Sequence, residues 1–313
     1  MVRLIKYLLL SFVLLTSSVQ AAQQVEIISR FSPATASGRF AMEAVEMLNN
    51  MQKEYKFKYT NLIGANGEAA DQRAIALARN GQKVLLWNST STYTFNRYIV
   101  GNTYDRDNDL IPLYGIAGVS FSIMVHPESN INTYDDFIKF VKSKPIVYMG
   151  NTASSSTVNM LKAILVKHEN LNNIKDLSYE KPNDMVRALL TNEIDFTIFN
   201  PADVIGFKQL VSSNYSRTRN NIDVPIGHEV GMNDFKFMTQ TLVSVPKEQK
   251  EFGEKLRPLL AKICYDESFG DLVMKSNYVS SCMGTNRINE RIQEELQLIE
   301  QYKDSLDLKV GPK

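Results

Sequence analysis

The same local pattern occurs four times in this chain: a short apolar segment, a stretch of small or polar residues, and then apolar residues at helical spacing. It is clearest at residues 145–161, where 146–149 predicts a buried strand, Gly150 ends it, and helical spacing begins at Val158. Strands that alternate with helices predict an α/β fold with a mostly parallel sheet. In such sheets ligands bind at the carboxyl ends of the strands, beside the helix starts.

We call the four polar runs the first to fourth junctions: residues 32–38, 88–92, 150–157 and 200–201. A helix start leaves backbone N–H groups without partners and carries a partial positive charge, so it favours a bound anion. At the fourth junction, Pro201 predicts a helix that continues through Phe207. The alternative for all four is that the polar residues only cap helices and form turns.

The candidate ligand-binding residues are the polar side chains of the junctions and the aromatic residue before the first of them. They are Phe31, Ser32, Thr35, Ser37, Asn88, Ser89, Thr90, Ser154, Ser155, Ser156, Thr157 and Asn200. None of these side chains is charged. A bound anion would therefore be held by backbone N–H groups at facing helix starts, with help from hydroxyls and bridging waters. Arg39 and Arg73 either add a salt bridge or face solvent.

Residues 1–22 have the pattern of an export signal. Arg3 and Lys6 supply its positive start, an apolar stretch follows, and small residues predict cleavage after Ala21 or Ala22. The alternative is a membrane anchor, but the apolar stretch is shorter than the ~20 residues that a spanning helix needs. We therefore expect an exported protein.

The mature chain is long enough for two lobes with separate cores, since single cores stop growing near ~250–300 residues. Extended stretches at 110–125 and 237–245 predict two crossings between the lobes. The predicted division is a signal peptide, 1–22, then lobe 1, 23–120 with 241–313, and lobe 2, 121–240.

Charge and cysteine content restrict the function further. The predicted signal contains two basic and no acidic residues, so the mature chain has 33 basic and 34 acidic residues, a net charge of −1. That balance argues against nucleic-acid binding and against a basic membrane-binding patch. Cys264 and Cys282 are the two cysteines. In an oxidising compartment they form a disulfide or remain two buried thiols.

Catalytic and metal-binding patterns are missing from the sequence. The three histidines, His126, His168 and His228, are far apart and have no metal-ligand spacing, and nothing nominates a base for a serine nucleophile. Trp87, at a strand end, is either a core residue or a stacking platform. We expect no enzyme activity, no cofactor and no metal site.

Several segments, in order, resemble motifs of the substrate-binding proteins of tripartite tricarboxylate transporters, the Bug receptor family. Residues 31–38 are similar to its Phe-Pro-Pro-Gly-Gly-x-x-Asp loop, 61–67 to Asn-x-x-Gly-Ala-Gly-Gly, 81–92 to its Gly-Tyr-Thr-Leu-Leu strand, and 150–160 to its Tyr-Gly-Ser-Ala-Gly-x-Gly-Ser-x-x-His-Leu motif. The likeness covers essentially the whole mature chain. It departs from the family at Ala34 and Thr35, which replace two glycines, at Gly38, which replaces the aspartate, and at Asn159, which replaces the histidine.

The resemblance implies a two-lobed periplasmic-binding-protein fold, type II-like. From the two predicted crossings we expect a hinge near Ala117 and Met238. The resemblance also implies a monomeric periplasmic receptor that captures a small carboxylate or neutral polar solute and delivers it to membrane transporter subunits. Because Gly38 stands where the family has its aspartate, we expect a ligand without a free amine. The alternative is a repurposed binding, sensor or structural protein of the same fold that no longer serves transport.

Overall fold

The structure, a computed structural model, describes residues 21–99, 103–152, 156–204 and 206–306, and leaves the side chains of Ser156 and Asn220 undescribed. The predicted export signal lies outside the described residues except for Ala21 and Ala22. Within the described ranges, eleven strands form two sheets, and nine α-helices pack against them. No helix in these ranges is long and apolar enough to cross a membrane.

The strands divide between a six-stranded first sheet and a five-stranded second sheet. The first sheet has the order β11-β4-β10-β3-β1-β2, with strands β1 (Gln23–Ser29), β2 (Tyr55–Asn61), β3 (Val84–Ser89), β4 (Leu110–Val119), β10 (Thr239–Pro246) and β11 (Val279–Gly284). The second sheet has the order β7-β6-β8-β5-β9, with strands β5 (Ser122–Val125), β6 (Val147–Thr152), β7 (Ile174–Tyr179), β8 (Phe196–Phe199) and β9 (Lys208–Ser212).

The helices cover the faces of both sheets. They are α1 (Ala36–Asn50), α2 (Glu68–Arg79), α3 (Asn96–Ile99), α4 (Tyr134–Ser143), α5 (Ser156–Glu169), α6 (Pro182–Leu190), α7 (Lys250–Ile263), α8 (Glu267–Lys275) and α9 (Thr285–Tyr302). The apolar residues that predict α1 face inward: Phe40, Ala44 and Leu48 are buried against the first sheet.

Both sheets are mixed, whereas the sequence predicts mostly parallel ones. Parallel pairing holds for β1 with β2 and β3, and for β6 with β7 and β8. Helices connect β1 to β2, β2 to β3, β6 to β7 and β7 to β8, and parallel strands need such crossover connections. In contrast, β4, β5, β9, β10 and β11 pair antiparallel, because these strands carry the chain between the sheets or return it without a βαβ crossover.

The strands of each sheet come from separate parts of the chain, and the crossings lie side by side. Ser120 and Phe121 connect β4 to β5, and residues 213–238 lead from β9 back to β10. The Ser213 hydroxyl accepts from the backbone N–H of Phe121 at 3.0 Å and donates to the Phe237 carbonyl at 2.8 Å. One buried serine therefore ties the two crossings together.

Helix α9 contacts both lobes, whereas the predicted division puts its whole length in lobe 1. Ile288 and Ile292 are buried against the first sheet. Ile299 and Tyr302, about two to four turns further on, belong to the apolar core of the second sheet. The Tyr302 hydroxyl also donates to the Asp234 carboxylate at 2.8 Å. The last turns of α9 thus complete the core of the other lobe.

The fourth junction does not begin an α-helix, so the predicted helix through Phe207 is wrong. Pro201–Asp203 forms a single 3-10 turn, and β9 starts at Lys208. Val204 leaves helical geometry at φ −136° and ψ 58°, and Gly206 has φ +92°, which is left-handed. Both conformations stop helix propagation.

The disulfide alternative for the cysteines is confirmed: Cys264, just after α7, is bonded to Cys282 in β11. The two residues are 18 apart in sequence. By loop-closure reasoning such a bridge contributes about 3 kcal/mol of stability. Trp87 is a core residue at 1% exposure, with its ring 6.2 Å from that of Phe40.

Candidate ligand-binding site

The sheet order brings the predicted junctions together in pairs. Strands β1 and β3 are parallel neighbours, so the first and second junctions lie side by side at the carboxyl edge of the first sheet. Strands β6 and β8 are parallel neighbours in the second sheet, which places the third and fourth junctions at one edge there.

Within each lobe, a hydrogen bond joins the paired strand ends. The guanidinium of Arg30, at the end of β1, donates from Nη1 to Thr92 Oγ1 of the second junction at 2.9 Å. In the second sheet, the Thr197 hydroxyl of β8 donates to the carbonyl of Gly150 in the third junction at 2.9 Å.

Two contacts connect the junctions across the lobes. The Ala36 N–H, at the start of α1, donates to Asp203 Oδ1 beside the fourth junction at 3.2 Å. Thr157 of the third junction lies 3.1 Å, Oγ1 to Oγ1, from Thr239 at the start of β10. The next residue, Gln240, donates its N–H to Thr90 Oγ1 of the second junction at 3.3 Å. The four junctions therefore form a closed ring, which we call the polar ring.

In the first junction, the side chains are already engaged within the protein. Thr35 caps α1 by accepting from the Gly38 N–H at 3.2 Å, and its hydroxyl donates to the Ser32 carbonyl at 2.7 Å. Ser37 Oγ accepts from the Tyr278 hydroxyl at 2.7 Å. A Cβ at Gly38 would lie 1.9 Å from the Ser32 carbonyl oxygen, so glycine is required for this tight loop. Phe31 is half-buried, and its carbonyl accepts from Asn61 and Tyr59.

The second junction is mostly buried. Asn88 accepts from the Ser244 hydroxyl, which in turn accepts from Tyr93 inside the first lobe, both at 2.9 Å. Ser89 is 3% exposed, and its Oγ lies 2.6 Å from Ser91 Oγ. Ser91, which the candidate set omits, is more exposed than either neighbour, so it is the hydroxyl at the mouth of this junction.

A buried carboxyl from α9 lies beneath the second junction. Glu295 is 3% exposed, and the Thr94 hydroxyl lies 3.2 Å from its Oε2. Burial raises the pKa of Glu295 to about 8, and its neighbours Thr90 and Arg291 only partly offset that effect. Near neutral pH this carboxyl is therefore mostly protonated and uncharged.

At the third and fourth junctions, the structure describes only part of the predicted set. Ser154 and Ser155 lie outside the described residues, and of Ser156 only the backbone, which begins α5, is described. Thr157 is 6% exposed. Asn200 accepts from the Ala202 N–H at 3.0 Å and so caps the 3-10 turn.

Arg30 is a charged member of the polar ring that the candidate set does not contain. It is partly exposed, and its guanidinium packs over Gly67: a Cβ there would lie 2.3 Å from Arg30 Cζ. Gly67 has φ +94°, so glycine suits this position for its backbone as well. The sequence feature that could have identified Arg30 is a basic residue directly after a predicted buried strand. In contrast, Arg39 and Arg73 are both exposed on helix surfaces.

A buried cluster of ionisable side chains interacts electrostatically with Arg30. Arg106 Nη1 lies 2.5 Å from Glu68 Oε1, and Tyr104 donates to Asp71 Oδ2 at 2.8 Å. Glu68 and Asp71 lie in the first turn of α2, where the helix dipole favours acidic groups. Burial raises the pKa of Asp71 to about 6, although the charge of Arg30 opposes this shift. The cluster fixes the loop around Tyr104 against the α2 start.

Two further features of the site could not be read from the sequence. Asp203 reaches α1 from the opposite lobe, a contact that depends on how the lobes face each other. Ser213 links the crossings through its position between two distant segments. Within the described residues, no three His, Cys, Asp or Glu side chains are grouped to hold a metal ion.

Two mixed sheets, joined by two crossings and facing each other through a polar ring, define the two-lobed α/β fold of periplasmic binding proteins. The chain is similar in structure to the periplasmic binding protein BugD, with a TM-score of 0.73 and 16% identity over 90% of this chain and 97% of BugD. The fold that the Bug-family resemblance implies is thereby confirmed.

Two other similar structures contain dicarboxylates. Rpa4515 of R. palustris with adipate has a TM-score of 0.76 and 17% identity, covering 91% of this chain and 98% of Rpa4515. MatC of Rhodopseudomonas palustris with bound malate has a TM-score of 0.68 and 14% identity, covering 90% and 98%. No protein-family model and no curated protein matches the sequence.

Proposed function

We propose that this protein is a solute-binding receptor that captures a small carboxylate or neutral polar solute between its lobes. The observation that carries the proposal is the polar ring, in which four strand-end junctions from two sheets meet across the lobes. Ligands of α/β proteins bind at such strand ends. The adipate and malate complexes of proteins with this fold support a carboxylate ligand.

In this proposal, Arg30 and the start of α5 provide the main attraction for a carboxylate. Arg30 is a half-buried residue, and its guanidinium is a group that pairs well with carboxylates. Helix α5 contributes the N–H groups of its first turn, each helix end being worth roughly 0.3–1 kcal/mol at exposed sites and up to ~2 kcal/mol when partly buried. Ser91 adds a hydroxyl at the mouth of the second junction.

We propose binding rather than catalysis as the role of the ring. Its hydroxyls cap helices or pair with each other, as Thr35 and Ser89 do. His126 follows β5 at the end that points away from the ring, because β5 runs antiparallel to β8. The proposed ligand has no free amine, because an ammonium group would need an acceptor and Gly38 has no side chain to provide one.

We further propose that the receptor is a periplasmic monomer that delivers its solute to membrane subunits of a tripartite tricarboxylate-type transporter. The export-signal pattern of residues 1–22 and the Cys264–Cys282 bridge support an oxidising compartment outside the cytoplasm. N-terminal sequencing of the exported protein should give a chain that starts after Ala21 or Ala22.

A thermal-shift screen against mono-, di- and tricarboxylates, neutral polar solutes and amino acids tests the receptor proposal. A solute at 100 times its dissociation constant adds about 2.7 kcal/mol of stability, so we expect a clear rise in Tm for at least one carboxylate. Ser91→Asp should abolish this rise by charge repulsion and leave the Tm without solute nearly unchanged, while Ser216→Asp, at an exposed serine of lobe 2, should bind normally.

Two outcomes would contradict the proposal. If no solute changes the Tm, the repurposed sensor or structural alternative becomes the better explanation. If an α-amino acid binds tightly and Ser91→Asp has no effect, the protein is a receptor but the proposed pocket is wrong.

A further inference from the structure

The start of α1 already holds a carboxylate, and that carboxylate belongs to the protein itself. Asp203 Oδ1 accepts from the Ala36 N–H at 3.2 Å, although the two residues are 167 positions apart and lie on opposite lobes. The Gly38 N–H donates to Thr35 Oγ1, and the Ser37 hydroxyl oxygen accepts from Tyr278. Two N–H groups at the start of α1, those of Ala36 and Gly38, therefore already have acceptors within the protein.

The surroundings of Asp203 suit a held carboxylate. Asn200 caps the 3-10 turn that contains Asp203, and Pro201 stiffens it, so the side chain is presented from a fixed backbone. Burial raises the pKa of Asp203, while the Ala36 N–H and the charge of Arg39 act in the opposite direction. The partial positive charge of the helix start favours the ionised form as well.

We propose that Asp203 is an internal latch: it occupies the anion-binding start of α1 and ties the two lobes together before any solute binds. A solute carboxylate can then use the α1 start only by displacing Asp203, and is otherwise held at Arg30 and the α5 start. The latch itself does not depend on the identity of the solute or on the receptor proposal.

The latch can be tested without a ligand, from both sides of one hydrogen bond. Asp203→Ala removes the acceptor. Ala36→Pro replaces the donor N–H with a ring carbon, so the Asp203 carboxylate loses both its donor and its place at the α1 start. Proline fits the first position of a helix, where the preceding Thr35 is extended at φ −90° and ψ 160°. Asp223→Ala, at an exposed acid of lobe 2, is the matched control.

The readout is the distance between spin labels on the two lobes, measured by pulsed electron resonance. The labels go on Met42→Cys in α1 and Leu190→Cys in α6, which replace side chains 44% and 49% exposed, while the native cysteines stay bonded to each other. The latch predicts a short-distance population in the parent that falls severalfold, with a matching gain at longer distance, in Asp203→Ala and in Ala36→Pro.

The double variant decides the interpretation. If one hydrogen bond is responsible, combining Asp203→Ala with Ala36→Pro shifts the distances no further than either change alone. Asp203→Asn, which keeps an acceptor oxygen but loses the charge, should give an intermediate shift. Unchanged distances in both single variants, or a shift in only one of them, would overturn the latch; an effect of Asp223→Ala as large as that of Asp203→Ala would do so too.

Discussion

At the scale of single residues, the polar side chains of the junctions have two roles that sequence alone does not separate. Thr35 and Asn200 lie at positions where polar groups are expected in a ligand site. Thr35 also caps helix α1, and Asn200 caps the 3-10 turn that follows it. Side-chain type and spacing are enough to place such residues at a strand end. Which of their atoms remain free depends on partners far away in sequence, as Tyr278 shows for Ser37.

The protonation of Glu295, which lies beneath the polar ring, can be tested through the pH dependence of stability. Its pKa is raised to about 8, from an ordinary 4.5, so the folded state holds a proton that the unfolded state has lost. Between these two values the free energy of unfolding should fall as pH rises, by up to about 1.4 kcal/mol per pH unit. Glu295→Gln should remove this dependence and unfold later than the parent at pH 8.

Denaturant unfolding between pH 6.5 and 8 isolates the effect, because the pKa of Asp71 is raised only to about 6. Glu290→Gln, an exposed position on the same helix, should leave the slope unchanged. A parent protein whose stability is flat across this range would show that Glu295 is ionised in the folded state.

At the scale of elements, long amphipathic segments were predictable and short ones were not. Helices such as α1 and α9 follow apolar spacing over many residues, so their existence is visible in the sequence. Strands β9 and β11, which were not predicted, are short and lie at sheet edges. The helix predicted at the fourth junction was wrong because Gly206 reverses the backbone there.

The pairing of the two crossings depends on Ser213. Its hydroxyl makes hydrogen bonds to Phe121 and Phe237 in a fully buried position, so Ser213→Ala leaves two backbone groups unpaired. We expect a loss of about 1–3 kcal/mol in the free energy of unfolding. The neighbouring Ser212→Ala is the control, since Ser212 Oγ accepts one longer bond, 3.4 Å, from Asn214.

Urea unfolding of both variants gives the comparison. Equal stabilities for Ser213→Ala and Ser212→Ala would mean that the crossings are held by strand pairing alone. A larger loss for Ser213→Ala would identify this serine as the tie between the two crossings.

At the scale of the whole molecule, α9 couples the lobes. Ile288 and Ile299 are both fully buried on this helix, the first against one sheet and the second against the other. The sequence predicts the helix from its periodicity, but periodicity cannot tell which core each turn enters. The two-lobed architecture was therefore predictable from the order of elements, whereas the sharing of one helix was not.

Truncating Ile299 tests this coupling. Ile299→Ala should cost about 2–5 kcal/mol, the range for a fully buried aliphatic side chain, and Ile288→Ala should cost a similar amount. Calorimetry should show one cooperative transition for the parent and for both variants. A loss below about 0.5 kcal/mol for Ile299→Ala would mean that the end of α9 only rests on the second lobe.

The position of α9 has a consequence for how this chain is made. The strands of the second sheet are contiguous in sequence and end at Ser212, yet their core includes Ile299 and Tyr302. About 90 residues separate Ser212 from Tyr302. At about 5–20 residues per second, the ribosome needs roughly 5–20 s more to supply them. A nascent chain of this protein therefore cannot bury either core completely until its last helix has been synthesised.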